Sequence, residues 1–186
     1  MQIETTKKLF SVEDYHRMAE AGILGPDDRL ELIDGEVLEM SPIGDRHAVA
    51  VNIATNRFAA VFGSRVFLSV QNPLRLNDHT ELQPDIVLLK YRDDFYRDRM
   101  WTAKEVLLVL EVSDTTLRYD RMVKLPQFAT AGVPEVWIES LAADELLVFR
   151  GLSDRSYSTA LTFRRDDLVS TLAFPEVSFR VGDLLP

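Results

Sequence analysis

Two carboxylates stand where their neighbours are apolar. Asp85 follows Pro84 and opens the run IVLL, and Glu111 interrupts the run VLLVLEV at 106–112. A carboxylate set into a buried strand costs several kcal/mol unless it is paired or bound to a metal. A hard divalent cation supplies that compensation: Mg²⁺ takes oxygen ligands, commonly one or two carboxylates completed by waters and substrate phosphate. Lys124, on the helical stretch that follows, could then orient an attacking water and offset charge on the phosphate. Together these are parts for in-line hydrolysis of a phosphodiester, with a metal to polarise the phosphoryl oxygen and a cation for transition-state charge. Spacing alone leaves plainer roles open. Asp85 could accept backbone N–H groups at the start of a strand, and Glu111 could pair with an arginine such as Arg121. Lys124 could be a solvated helix lysine or the i,i+4 partner of Asp120.

The elements that must position these residues are legible from periodicity. Ser11 ahead of Val12, Tyr15 and Met18 predicts an N-capped helix stopped by Gly22 and Pro26, with Asp14 making only a weak capping box. RLELIDGEVLEM predicts two strands joined by Asp34-Gly35, the pair preferred in a type I′ hairpin. That turn sets Glu31 opposite Leu38, on the face of Ile33, Glu36 and Met40. From Asp45 to Phe62 a helical stripe runs through His47, Val51, Ala54, Phe58 and Val61, with Gly63 as its stop. Strands are expected at 66–70, at 86–89 behind Pro84, and at 106–112, the last apolar enough to be covered on both faces. A helix over 117–131 sets Leu117, Lys124, Phe128 and Ala131 on one side, with Pro126 able to bend it. Short strands follow at 136–139, 146–149 and 157–161, Asp144 and Glu145 read as a turn, and the tail is irregular apart from a strand near 177–181. The rings of Trp101 and Trp137 read as core or interface. This order predicts a mixed α/β fold over 1–186, a single domain with a central mixed sheet flanked by helices, an N-terminal helix and hairpin, and extra C-terminal strands.

Composition narrows the class. A chain of 186 residues with 46% hydrophobic content can bury one full core. The absence of cysteine excludes disulfides, thiolate ligands and a cysteine nucleophile. No apolar stretch approaches the roughly 20 residues of a membrane span. The start, MQIETTKKLF, lacks the basic-then-apolar order of a signal peptide, so a cytoplasmic protein with no membrane partner is expected. The net charge of −9 argues against gripping nucleic acid by broad phosphate neutralisation. Basic residues can still gather locally, as at Arg92, Arg97, Arg99, Arg118, Arg121 and Lys124.

The segments DYHRMAEAGIL, RLELIDGEVLEMSPIGDRHAVAV, PDIVLL and LLVLEVSDTTLRYDRMVKLPQFATAGVPEVWI, with the spacing between them, resemble the Uma-type endonuclease family of bacteria. That family belongs to the PD-(D/E)XK restriction-endonuclease-like superfamily, and the resemblance covers about residues 11–150. It implies a restriction-endonuclease-like core, Mg²⁺ as cofactor with Mn²⁺ able to substitute, and DNA as substrate. By the same resemblance Asp85 and Glu111 hold the metal, with the Val112 backbone carbonyl beside them. Glu31 matches a family glutamate that would complete the shell, and His47 a histidine at the start of the helix on the sheet. One motif position departs: Ser113 stands where the plain pattern has lysine, and the family's lysine has moved to the next helix, here Lys124. Phe128 and Val136 stand where tyrosines are common. Small nucleases that cut both strands commonly need two sites, which predicts a homodimer. Two readings compete with the nuclease: a non-catalytic module that keeps the fold, suggested by the charge and by Ser113, and a phosphoesterase acting on smaller nucleotides.

Overall fold

The apolar run around Glu111 becomes β7 (Val106–Ser113), an interior strand of a six-stranded sheet. The structure, a computed structural model, describes residues 6–186; the first five residues, part of the stretch read for a signal peptide, lie outside it. The sheet runs in the order β10 (Ser156–Arg164), β9 (Glu145–Ser153), β8 (Glu135–Ser140), β7, β6 (Ile86–Lys90) and β3 (Val66–Val70). All neighbours are antiparallel except β7 and β8. A parallel pair cannot be closed by a tight turn and needs a crossover, and the helical stretch after β7 supplies it. That stretch carries Lys124.

On one face of the sheet lies α2 (Asp45–Phe62), burying Ala50, Val51, Ala54, Phe58 and Phe62. The expected stripe ran through Val61, but Val61 is 42% exposed and Phe62 takes its place, because the helical period carries the stripe from Phe58 to the residue four further on. Trp137 and Phe179 close against Phe58. The C-terminal tail is more regular than expected. A two-stranded ribbon, β11 (Leu168–Ser170) with β12 (Ser178–Arg180), covers this core. It is anchored to buried Glu135, which accepts from the Leu172 N–H at 2.7 Å and from Arg150 Nε at 2.7 Å. Strands of three residues leave too little alternation to read in sequence. The β9–β10 hairpin, nine residues a side, also runs well past the two short strands expected there.

A four-stranded sheet, in the order β2 (Glu36–Glu39), β1 (Leu30–Ile33), β5 (Thr80–Leu82) and β4 (Leu74–Asn77), stands beside the main one. The last two strands are short and polar, and the sequence does not announce them. The β1–β2 register is the expected one, Glu31 opposite Leu38. Asp34 and Gly35 both take positive φ, 50° and 81°, as a type I′ turn demands. Gly35 is required twice over, since a Cβ there would lie 2.7 Å from the Leu9 Cβ. Helix α1 (Val12–Glu20) is capped more firmly than expected. Ser11 Oγ accepts the Asp14 N–H, and Asp14 Oδ2 accepts the Ser11 N–H, each at 3.1 Å. Among the described residues no helix is long and apolar enough to cross a membrane.

Candidate active site

Asp85 sits immediately before β6, and Glu111 sits on the neighbouring strand β7. Alternation along β7 puts Glu111 on the side of Val109, away from α2. The Asp85 N–H points at Glu111 Oε2 across 3.4 Å, so the two carboxylates share one small volume. Asp85 Oδ2 accepts the Val112 N–H at 2.9 Å and pairs with His47 Nε2 at 3.0 Å. Asp85 Oδ1 accepts from Gln71 Nε2 at 3.2 Å. His47, in the first turn of α2, thus reaches the site itself.

Lys124 arrives by an irregular route. The single helix expected over 117–131 is instead α3 (Leu117–Tyr119), a π turn at Asp120–Lys124, and α4 (Leu125–Thr130). Pro126 has no N–H to give to the carbonyl four residues back, so the α ladder fails there. The Leu125 N–H bonds to the Asp120 carbonyl. Such single-turn π bulges recur at functional sites. Here the bulge turns Lys124 inward, where Nζ meets Glu31 Oε1 at 3.0 Å and Glu111 Oε1 at 3.3 Å. Glu111 therefore pairs with this lysine and not with Arg121. Asp120 does not partner Lys124 by hydrogen bond; its Oδ2 accepts from the hydroxyls of Ser113 at 2.5 Å and Thr116 at 2.7 Å. Ser113 thus helps hold the turn from which Lys124 reaches inward.

The charges do not balance. Glu31, Asp85, Glu111 and Asp120 are all buried, with Lys124 the buried cation among them. Burial drives Glu111 well above its ordinary range; Lys124 opposes this, and Asp85 adds to it. Burial would raise Asp85 too, but the hydrogen bond and charge of His47, the Val112 N–H and Gln71 outweigh it and hold the carboxyl low. For Lys124, burial favours the neutral amine, yet Glu111 and Glu31 outweigh it and raise its pKa, so the ammonium stays charged.

These groups fit a hard cation. Glu31 Oε2 is buried with no hydrogen-bond partner among the described residues, and the charges of Asp85, Asp120 and Glu31 add to the burial that pushes Glu111 up. Mg²⁺ needs only one or two protein carboxylates, the rest of its shell being water. No group of three or more His, Asp or Glu side chains is already gathered as a metal cage among the described residues. A polar cleft of about 250 Å³, lined by Asp27, Asp28, Arg29, Ile43, Gln71 and Gln83 among others, opens onto Asp85. Of the basic residues expected to gather locally, Arg92 and Arg99 are spent on Asp94 and Glu105, past the far end of β6 from Asp85. Arg118 and Arg121 are exposed on the helical stretch that carries Lys124.

A family model described as "Putative restriction endonuclease", Uma2, matches residues 12–182. The chain belongs to the Uma2 family. The resemblance read from the sequence covered about residues 11–150; the family match extends it through β11 and β12. A crystal structure of a "putative nuclease" belonging to DUF820 from Anabaena variabilis shares the fold, with a TM-score of 0.74 at 13% identity, over 94% of this chain and 97% of that one. The Uma2 chain described here thus has the restriction-endonuclease-like fold. No curated protein matches it in sequence.

Three polar residues of this region escaped the sequence reading. Gln71 and Gln83 carry no periodic signal. Glu139 does: it interrupts VWIES as Glu111 interrupts VLLVLEV. It lies beside Val112 in the parallel register and is fully buried, and neither carboxylate oxygen meets a donor among the described residues. Burial, then the charge of Asp85, raise its pKa well above 4.5. An acid with a raised folded pKa binds its proton more tightly folded than unfolded. Its contribution is therefore fully present below pH 4.5 and is lost as pH rises towards the folded value, at up to about 1.4 kcal/mol per unit. Glu139→Gln should remove that slope and gain stability on wild type between pH 5 and pH 8, read from urea midpoints. Parallel pH profiles would contradict the assignment.

Proposed function

We propose that this Uma2 protein is a Mg²⁺-dependent endonuclease that hydrolyses phosphodiester bonds in DNA. The observation that carries the reading is the meeting of Asp85, Glu111 and Lys124 in one buried cluster with surplus negative charge, beside an open polar cleft. Asp85 and Glu111, with the Val112 carbonyl, are the groups that would hold the cation, and Glu31 would complete its surroundings. A bound Mg²⁺ supplies polarisation of a phosphoryl oxygen and a lowered pKa for water.

The chain's own residues do the rest. Lys124 has three N–H donors and gives two to Glu31 and Glu111, which leaves one for an attacking water or a phosphoryl oxygen. Because its pKa is raised, Lys124 acts as a fixed cation and not as a proton acceptor. His47 and the Val112 N–H fix Asp85 from behind. Gln71 and Gln83 line the approach. Cutting both strands of a duplex calls for two such sites, so we place the active form as a homodimer, in the cytoplasm.

The test is conversion of supercoiled plasmid. Relaxed or linear product is expected with Mg²⁺ or Mn²⁺ and none with EDTA. Equal product with and without chelator would contradict the metal; no product on DNA, with turnover of small nucleotides, would favour the phosphoesterase. A non-catalytic module would do neither.

A further inference from the structure

A carboxylate offers about four in-plane lone-pair positions. At Asp85 three of them are spent. Oδ2 meets His47 Nε2 and the Val112 N–H, and Oδ1 meets Gln71 Nε2. One direction is left, on Oδ1. Which of its two lone pairs stays open is decided by Gln71 alone, since no other donor reaches that oxygen among the described residues.

Gln71 is built to make that choice. It follows edge strand β3 and holds φ at 51°, a left-handed conformation that costs a non-glycine residue on the order of 1 kcal/mol or more. Two bonds keep it there. The Gln71 N–H donates to the Asp85 carbonyl at 3.0 Å, and Gln83 Nε2 donates to the Gln71 carbonyl at 3.1 Å. Gln83 in turn gives its backbone N–H to Glu31 Oε1 at 2.9 Å. Asp85 belongs to the six-stranded sheet's end and Glu31 to the four-stranded sheet. The two glutamines thus tie one sheet's carboxylate to the other's, and both side chains line the cleft.

We propose that Gln71, braced by Gln83, is a positioning residue for Asp85: it leaves the carboxylate a single lone pair, aimed where a divalent cation binds. The inference rests on the metal-dependent reading above. Side chains that hold a metal ligand by hydrogen bond without touching the metal commonly change metal affinity by about 10- to 100-fold.

Two variants separate the amide from the backbone. Gln71→Met keeps the length and the strained φ but has no donor; Gln71→Gly loses the donor and relieves the strain. Mn²⁺ binding is measured by calorimetry on the whole protein, with melting temperature alongside and Asp85→Asn as reference. Both variants should weaken Mn²⁺ binding about 10- to 100-fold. Gln71→Gly should melt no lower than wild type, and the paramagnetic resonance spectrum of bound Mn²⁺ should change shape in Gln71→Met. Wild-type affinity in both variants, with Asp85→Asn unable to bind, overturns the role of Gln71 and leaves the metal site standing. A wild-type protein that binds no Mn²⁺ overturns both. Mn²⁺ binding that depends on Gln71, without cleavage of any nucleic acid, upholds the positioning role and removes the nuclease.

Discussion

Lys124→Met should lose cleavage and a large part of the folding free energy together. The substitution takes the ammonium from Glu31 and Glu111 while leaving both carboxylates buried. Removing one partner of a buried ion pair typically costs about 3–5 kcal/mol, because the other charge is left without compensation. The loss should depend on pH in a defined sense. Lys124 opposes the upward shift of Glu111, so without it Glu111 is raised further. A raised acid is harmless below pH 4.5 and increasingly costly as pH climbs. Urea denaturation should therefore find Lys124→Met close to wild type near pH 4.5 and far below it near pH 8. Cleavage, if the third N–H serves the transition state, should fall by about 10²- to 10³-fold. A variant as stable as wild type at pH 8 would mean that Lys124 does not neutralise the cluster.

Asp85→Asn and Glu111→Gln should both abolish Mg²⁺-dependent cleavage, each by about 10²-fold or more, yet move stability in opposite directions. The two carboxylates are pushed apart by their surroundings. Asp85 is held low by His47, Val112 and Gln71, so its charge stabilises the fold above pH 3.8 and that contribution disappears as pH falls through its lowered value. Asparagine forfeits it at neutral pH. Glu111 is raised, burial being the chief cause, so a neutral glutamine of the same shape should stabilise the metal-free protein at pH 8. A variant that folds better and cuts nothing is the signature of a residue kept for function at the expense of stability. Since cation and proton compete for Glu111, Mn²⁺ affinity in the wild type should also rise with pH.

What the sequence disclosed and what it withheld follow from physical range. Asp85 and Glu111 are legible because a charge inside an apolar strand violates a local pattern, and the cost of burying it is large. Glu139 violates the same pattern in VWIES and could have been found by the same test. Lys124 is different: its place on a helix is legible, but the π turn that aims it depends on Pro126 and on the hold of Ser113 and Thr116 over Asp120. Helical periodicity cannot show that a ladder slips by one residue. The reach of His47 to Asp85 and the role of Gln71 are long-range facts, fixed when β3, β6 and α2 assemble, and no local period encodes them. The missed strands β4, β5 and β11 have three or four residues each, too few for alternation to stand out against turn residues. The β1–β2 hairpin was read in full because Asp34-Gly35 fixes both turn and register.

The central claim is that Asp85 and Glu111 bind one divalent cation, and anomalous scattering from crystals soaked in Mn²⁺ tests it most directly. One Mn²⁺ peak is expected within ligand distance of a carboxylate oxygen of each, with the Val112 carbonyl beside it, and it should be missing from Glu111→Gln. Manganese bound elsewhere on the chain, or no peak while Lys124 stays paired to both Glu31 and Glu111, would contradict it.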